Sequence, residues 1–202
     1  MRNFTRMQSS LKLGIIIVIL TIISAAAGWY FCPKPSRYTQ GFETNFGGWT
    51  GDADVPSDPN NPGSDVDWNV SRVNSLAKSG EHSVELYIDG KQDDGTVWIE
   101  KALSAKRNAQ IHVTVSFDLY SESESFNVIA AVVGFAGTSN PEVEADFTVL
   151  GKANDVSGWK RYSYMATLET DSSGEYWIAI GISVLWETEM TYNLDNVEVT
   201  IN

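Results

Sequence analysis

Apolar and polar residues alternate along several short stretches of the chain, which is the pattern of a β-strand with one buried face. The clearest stretch is Val113–Tyr120, where every second residue is Val, Phe or Leu. Val84–Asp89 and Thr96–Glu100 show the same period of two. The nearly continuous apolar run Asn127–Phe135 favours a central strand that is covered on both faces.

Further runs of this kind bring the total to about nine predicted strands between residues 38 and 202. They are Ala145–Leu150, Arg161–Glu169, Tyr176–Trp186 and Asn193–Ile201. Turn-forming residues separate them, as at Ser157-Gly158 and Asp171–Gly174. Many short strands at this spacing predict an all-β domain that is built as a two-sheet sandwich.

Residues 13–32 form an uncharged and mostly apolar segment, whereas residues 1–12 contain only basic charges. Because about 20 apolar residues span a bilayer as a helix, residues 13–32 are predicted to be a transmembrane anchor. The basic leader would then be cytoplasmic, residues 33–37 would form a short stalk, and residues 38–202 would be extracellular. The alternative is a signal peptide cleaved near Ala25–Ala27, which would make the domain a secreted one.

Short motifs bracket the strand-rich part of the chain. Gly41-Phe42-Glu43 is followed by Gly47-Gly48-Trp49, and the last predicted strand contains Asn193–Val197. Together with Ser79–Leu86 between them, these motifs resemble the β-sandwich carbohydrate-binding modules of the family 4/9 type, which have a galactose-binding-like jelly-roll fold. The resemblance implies a two-sheet jelly-roll β-sandwich, here preceded by the transmembrane or signal helix, in which the first and last strands pair.

The resemblance also implies a structural calcium ion. Glu43, Asp195 and backbone carbonyls of the turn that begins at Lys78 would hold it. Two neighbouring carboxylates repel each other unless a cation joins them, and calcium prefers oxygen ligands. The alternative is that Glu43 caps a strand end and Asp195 forms an ordinary turn. The acidic stretch Asp52–Asp67 lacks the EF-hand pattern, and whether it binds metal or is a solvated loop stays open.

A sugar-binding surface needs flat apolar rings for the C–H face of the sugar and polar groups for its hydroxyls. The alternation of Tyr176–Trp186 puts isoleucines on one face and a single indole, Trp177, among small residues on the other. The same argument places further candidates on a face that points away from the core. The predicted ligand-binding residues are Tyr87, Trp98, Glu100, Asp118, Tyr120 and Trp177. The alternative is that some of these aromatic rings are buried under loops.

The charge and composition of the chain argue against several classes of function. Residues 38–202 carry 26 acidic and 9 basic residues, so a phosphate backbone would be repelled and nucleic acid is a poor partner. The single cysteine, Cys32, excludes an intrachain disulfide. His82 and His112 are isolated in the sequence. The acids of Glu142–Asp146 do not have the spacing of jelly-roll glycosidases, and a solvated loop edge is the better interpretation.

The leading hypothesis is therefore a surface-anchored, non-catalytic domain that binds a polysaccharide or other glycan. The alternative is a structural or adhesive cell-surface domain that binds protein. A small jelly-roll glycosidase is a more distant possibility. Exposure of Trp98 and Trp177 would favour the first hypothesis, whereas burial of both would favour the second.

Overall fold

A computed structural model describes residues 35–202, which form eleven β-strands and one short 3-10 helix. The helix is Glu144–Asp146. The strands are β1 Ser36–Gln40, β2 Thr50–Asp54, β3 Trp68–Val73, β4 Ser83–Gly90, β5 Thr96–Ser104, β6 Gln110–Ser121, β7 Ala130–Gly137, β8 Thr148–Lys152, β9 Gly158–Glu169, β10 Glu175–Val184 and β11 Thr188–Ile201. The predicted all-β class is confirmed.

The strands form two antiparallel sheets. Sheet A has the order β3-β4-β11-β6-β9, and sheet B has the order β2-β5-β10-β7-β8. The first strand, β1, also belongs to sheet A and pairs with the second half of β11, from Gln40 opposite Val197 to Ser36 opposite Ile201. A bulge between Asp195 and Glu198 separates this half of β11 from the half that pairs with β4. The first and last strands therefore pair, as the resemblance implied.

The core lies between the sheets and is built by the alternation seen in the sequence. In sheet A, Val84, Leu86 and Ile88 are buried, and β6 contributes the buried row Ile111, Val113, Val115, Phe117 and Leu119. In sheet B, the matching row is Tyr176, Ile178, Ile180, Ile182 and Val184 of β10. Fully burying one such side chain stabilises the fold by about 1.5–3 kcal/mol relative to leaving it exposed.

Three sequence predictions differ from the structure. The predicted strand Ala145–Leu150 is a 3-10 turn followed by β8, because Asp146 accepts hydrogen bonds from the backbone of Glu142 and Val143. The end of the predicted stalk belongs to β1, since Ser36 and Arg37 pair with β11. The predicted strand Tyr176–Trp186 ends earlier, at Val184 of β10, and Trp186 is 56% exposed.

The N-terminal predictions lie outside the described residues, namely the leader, the anchor or signal segment and the start of the stalk. Within residues 35–202, no helix has the length and apolar character to cross a bilayer.

Two tyrosines of β9 join the two sheets by hydrogen bonds. The hydroxyl of Tyr162 donates to the carbonyl oxygen of Lys152 in β8. Tyr164 of β9 reaches across the core, and its hydroxyl lies 2.5 Å from the carbonyl oxygen of Phe135 and 3.1 Å from that of Ala179. The ring fits because Gly134 has no side chain: a Cβ there would lie 2.6 Å from the ring of Tyr164. Burial raises the pKa of Tyr164, so the hydroxyl keeps its proton for donation.

We expect Tyr164→Phe to lower the free energy of unfolding by about 1 kcal/mol, the typical net value of one hydrogen bond. Denaturant unfolding measures this change. The neighbouring Met165 points to solvent, so Met165→Ala is the control and should leave stability within about 0.5 kcal/mol of the wild type. Equal stability of Tyr164→Phe and the wild type would contradict the bridging role.

Candidate functional site

The six predicted ligand-binding residues lie on two opposite faces of the sandwich. Trp98, Glu100 and Trp177 lie on the outer face of sheet B, whereas Tyr87, Asp118 and Tyr120 lie on the outer face of sheet A. The prediction of one shared face is therefore wrong. Alternation shows which side of a strand faces the core, but it does not show which of two sheets contains the strand.

Trp98 lies on the predicted face but is fully buried there, so for this residue the alternative of burial under a loop holds. Its indole Nε1 donates a hydrogen bond of 2.7 Å to Oε2 of Glu100 on the same strand. The ring of Phe147 covers the indole, with 4.9 Å between the ring centroids. Glu100 is 5% exposed, so this tryptophan–carboxylate pair is closed off from solvent.

The cover is residues 138–147, called here the β7–β8 segment. The backbone N–H of Glu144 donates a 2.8 Å hydrogen bond to Oδ2 of Asp54 in β2. The carboxylate of Glu144 accepts a 2.9 Å bond from the hydroxyl of Thr96 in β5. These bonds attach the segment to the end of β2 and the start of β5. Beside it lies an acidic cleft of about 430 Å³, lined by Asp54, Val55, Pro56, Asp94, Val143, Glu144 and Ala145.

Trp177 occupies the part of the same face that the β7–β8 segment leaves open. It is partly exposed, and its neighbours on the adjoining strands are Ala102 and Gly137. Ala102 provides a small side chain on one side of the indole, whereas on the other side the ring of Phe135 packs over Gly137. Of the three predicted residues on sheet B, Trp177 is the one that solvent reaches most readily.

Burial raises the pKa of Glu100. Hydrogen bonds from Trp98 and Asn140 oppose this shift, whereas the nearby carboxylates of Asp52 and Glu142 add to it. A carboxyl group in this setting holds its proton more tightly than a free one. Asp52, Asn140 and Phe147 belong to this site but were not among the predicted residues.

On sheet A, the predicted residues are engaged with neighbouring side chains. Asp118 is 7% exposed and accepts hydrogen bonds from Arg161 at 3.2 Å and from Asn196 at 3.1 Å. Tyr120 packs on Trp159 with 5.4 Å between ring centroids. The Tyr87 hydroxyl donates to Glu189 at 3.1 Å. These contacts give the three residues structural partners and leave sheet B as the better candidate surface.

Glu43 and Asp195, the proposed metal ligands, converge on one turn. Asp195 is fully buried and accepts backbone N–H bonds from Lys78 at 2.9 Å and Ser79 at 3.0 Å. Glu43 accepts one from Glu81 at 3.0 Å. Burial raises the pKa of Asp195, and the charge of Glu43 adds to this rise. A Cβ on Gly80 would lie 2.2 Å from Oε1 of Glu43, so only glycine leaves room for this carboxylate.

The donor set partly fits a hard cation. Two carboxylates in one place, one of them buried, suit calcium, but calcium takes about six to eight oxygen ligands. Within residues 35–202, no group of three or more His, Cys, Asp or Glu side chains is arranged to hold a metal ion. The carbonyl oxygens of Phe42 and Glu43 already accept bonds from Arg72. Further ligands would therefore have to come from other backbone carbonyls.

Comparisons with known structures agree with the fold. One similar solved structure comes from work on carbohydrate-binding modules of the β-sandwich superfamily and on the structural basis of their promiscuous specificity. The match has a TM-score of 0.52 and 13% sequence identity. It covers 81% of this chain and 74% of the other chain. The shared feature is the two-sheet β-sandwich.

Two further matches have lower scores. The xylan-binding CBM22-1 domain of Xyn10C from Paenibacillus barcinonensis has a TM-score of 0.49 and 15% identity, over 81% of this chain and 92% of its own. A Stig cyclase from Fischerella sp. TAU has a TM-score of 0.43 and 17% identity, over 82% and 89%. No protein-family model and no curated protein sequence matches the chain.

We expect Glu100 to make stability depend on pH. Because its pKa is raised in the folded protein, its stabilising contribution is complete below the ordinary value of 4.5 and is lost as the pH rises through the folded pKa. The Glu100→Gln protein lacks this titration, but its amide oxygen can still accept the bond from Trp98. The wild type should therefore lose stability relative to Glu100→Gln as the pH rises above 4.5.

Denaturant unfolding of both proteins from pH 4 to pH 8 measures this difference, and all other titrating groups cancel in the comparison. Glu175→Gln, at an exposed carboxylate of β10, controls for the loss of one negative charge. If the free energies of unfolding of the wild type and Glu100→Gln change in parallel with pH, the raised pKa of Glu100 is contradicted.

Proposed function

We propose that residues 36–202 are a non-catalytic carbohydrate-binding domain whose ligand site is the open part of the outer face of sheet B. The observation that carries the proposal is the partly exposed indole of Trp177 beside Ala102 and Gly137. A flat aromatic ring next to small residues can stack on the C–H face of a sugar. Asn140, at the edge of the β7–β8 segment, supplies a polar group for hydroxyls.

A polysaccharide is the proposed ligand class. The superfamily module with the same fold is described as carbohydrate-binding, and its likeness supports the fold on which this site is built. The net negative charge of the domain suits a neutral glycan better than an anionic one. The buried Glu100 is hydrogen-bonded to Trp98 under a protein cover, which suits a structural role better than a catalytic one.

Display at the outer cell surface is part of the proposal. It rests on the apolar stretch of residues 13–32 and the basic leader before it. A cleaved signal peptide would deliver the same domain outside the cell.

Binding of a protein partner is the second candidate function, and exposed apolar loop residues favour it. Phe126, in the β6–β7 loop, is 96% exposed, and Leu185 and Trp186 are exposed in the β10–β11 loop. The two loops touch, because the backbone N–H of Leu185 donates to the carbonyl of Ile129 at 2.9 Å. Large exposed apolar side chains close together are typical of interaction surfaces.

We expect Trp177→Ala to abolish binding of residues 36–202 on a glycan array, because the stacking surface is removed. Its free energy of unfolding should fall by less than about 3 kcal/mol, the lower limit for truncating a fully buried tryptophan. Trp186→Ala makes the same chemical change at the exposed loop and is the matched control, which should bind like the wild type.

The pair of variants also separates the two candidate functions. Wild-type glycan binding by a folded Trp177→Ala protein would contradict the proposed site. A blank array for the wild type would contradict glycan binding and favour the loop surface as a site for protein.

We also propose that calcium joins Glu43 and Asp195. The ion would neutralise two carboxylates that otherwise repel each other across one turn. This proposal is supported by the convergence of both acids on the turn from Lys78 to His82 and by the space that Gly80 leaves.

We expect removal of calcium with EDTA to lower the melting temperature, because a ligand that binds only the folded state stabilises it by mass action, by about 2.7 kcal/mol at a hundredfold excess over Kd. Glu43→Gln should lose this sensitivity. Glu81→Gln, at an exposed acid of the same turn, should retain it. Identical melting curves of the wild type in EDTA and in calcium would contradict the proposal.

A further inference from the structure

Phe147 occupies the surface of the most deeply set tryptophan on sheet B. Its ring centroid lies 4.9 Å from that of Trp98, with 53° between the planes, and 6.1 Å from that of Phe135. Trp98 has no exposed surface, and the Phe147 ring is part of the β7–β8 segment that covers it. The position that a sugar ring would take on Trp98 is therefore filled by a side chain of the protein itself.

The outer face of β5 and β10 extends without a break from Trp98, beneath Phe147, to Trp177. Trp177 lies opposite Ala102, and Gly181 lies opposite Trp98 four residues further along both strands. Four residues of antiparallel strand span about 14 Å. The intervening residues of β10 on this face are small, since Ala179 alternates with the core isoleucines and Gly181 has no side chain. Phe135 of β7 lies opposite Ala179 on the same face, and its ring packs over Gly137. The surface between the two indoles therefore has small residues of β10 as its floor and the ring of Phe135 along one side.

The ring of Phe147 is separate from the bonds that fix the β7–β8 segment. Glu144 makes the contacts to Asp54 and Thr96, and Asp146 closes the 3-10 turn through the backbone of Glu142 and Val143. None of these bonds involves the side chain of Phe147. Truncation of that side chain therefore removes the aromatic contact with Trp98 and leaves these attachments of the segment intact.

We propose that Phe147 sets the length of the glycan-binding site, by confining the ligand to the Trp177 end of the face. This inference rests on the proposed function. The wild-type site then accommodates few sugar rings, and additional rings of a longer oligosaccharide make no contact with Trp98. Phe147 acts as a specificity-determining residue for ligand length.

Calorimetric titration with oligosaccharides of increasing length tests the proposal. The probes are xylo-, manno- and β-1,4-galacto-oligosaccharides from disaccharide to hexasaccharide. Affinity of the wild type should level off at short lengths. Affinity of Phe147→Ala should go on rising and exceed that of the wild type at least tenfold for the hexasaccharide. Phe147→Leu keeps a bulky cover, and Val149→Ala changes an exposed neighbour in β8, so both should follow the wild type.

Trp98→Phe gives a second test that does not depend on how well Phe147→Ala folds. Because the ligand does not reach Trp98 in the wild type, this change should leave affinity unaltered at every length. Lowered affinity in Trp98→Phe, or the same length dependence in Phe147→Ala and the wild type, overturns the role of Phe147 alone. Absence of binding by all of the proteins overturns the proposed function, and this inference with it.

Discussion

The pairing of β11 is the constraint on which sheet A and the Glu43–Asp195 site depend. This one strand pairs with β6 along one edge and with both β4 and β1 along the other. The bulge between Asp195 and Glu198 makes the change of partner possible, and Asn196 adopts a left-handed conformation there with φ of 52°. The same bulge directs Asp195 towards the turn at Lys78, so strand pairing and the acidic site are one arrangement.

On the outer face of sheet B, a covering segment decides which of two tryptophans solvent can reach. Its outer face contains two tryptophans, but Phe147 and the β7–β8 segment separate one from solvent and leave the other partly exposed. The Nε1 of the buried indole donates a 2.7 Å hydrogen bond to the carboxylate of Glu100. The open indole lies opposite Ala102 and Gly137, and the ring of Phe135 packs over Gly137. Burial therefore makes one tryptophan part of the structure and leaves the other available for a ligand.

Much of the fold could be predicted from local patterns. The alternation in β4, β6 and β10 identified the side of each strand that faces the core, because a period of two is a property of the single strand. The assignment of strands to sheets depends on pairing between distant residues, and this is why Tyr87 and Trp98 were grouped on one face. The burial of Trp98 depends on Phe147, 49 positions away, and no local pattern reports that contact.

β11 is the last strand in sequence and lies at the centre of sheet A, so it also determines when this sheet can form during synthesis. Arg37 of β1 meets Glu198 of β11 across 161 positions of sequence. A ribosome releases the first strand long before it makes the partner of that strand. Sheet A therefore cannot be completed during most of synthesis, and β1, β4 and β6 must wait with unpaired edges. Folds dominated by such distant contacts form slowly, so the nascent chain stays unfolded for longer.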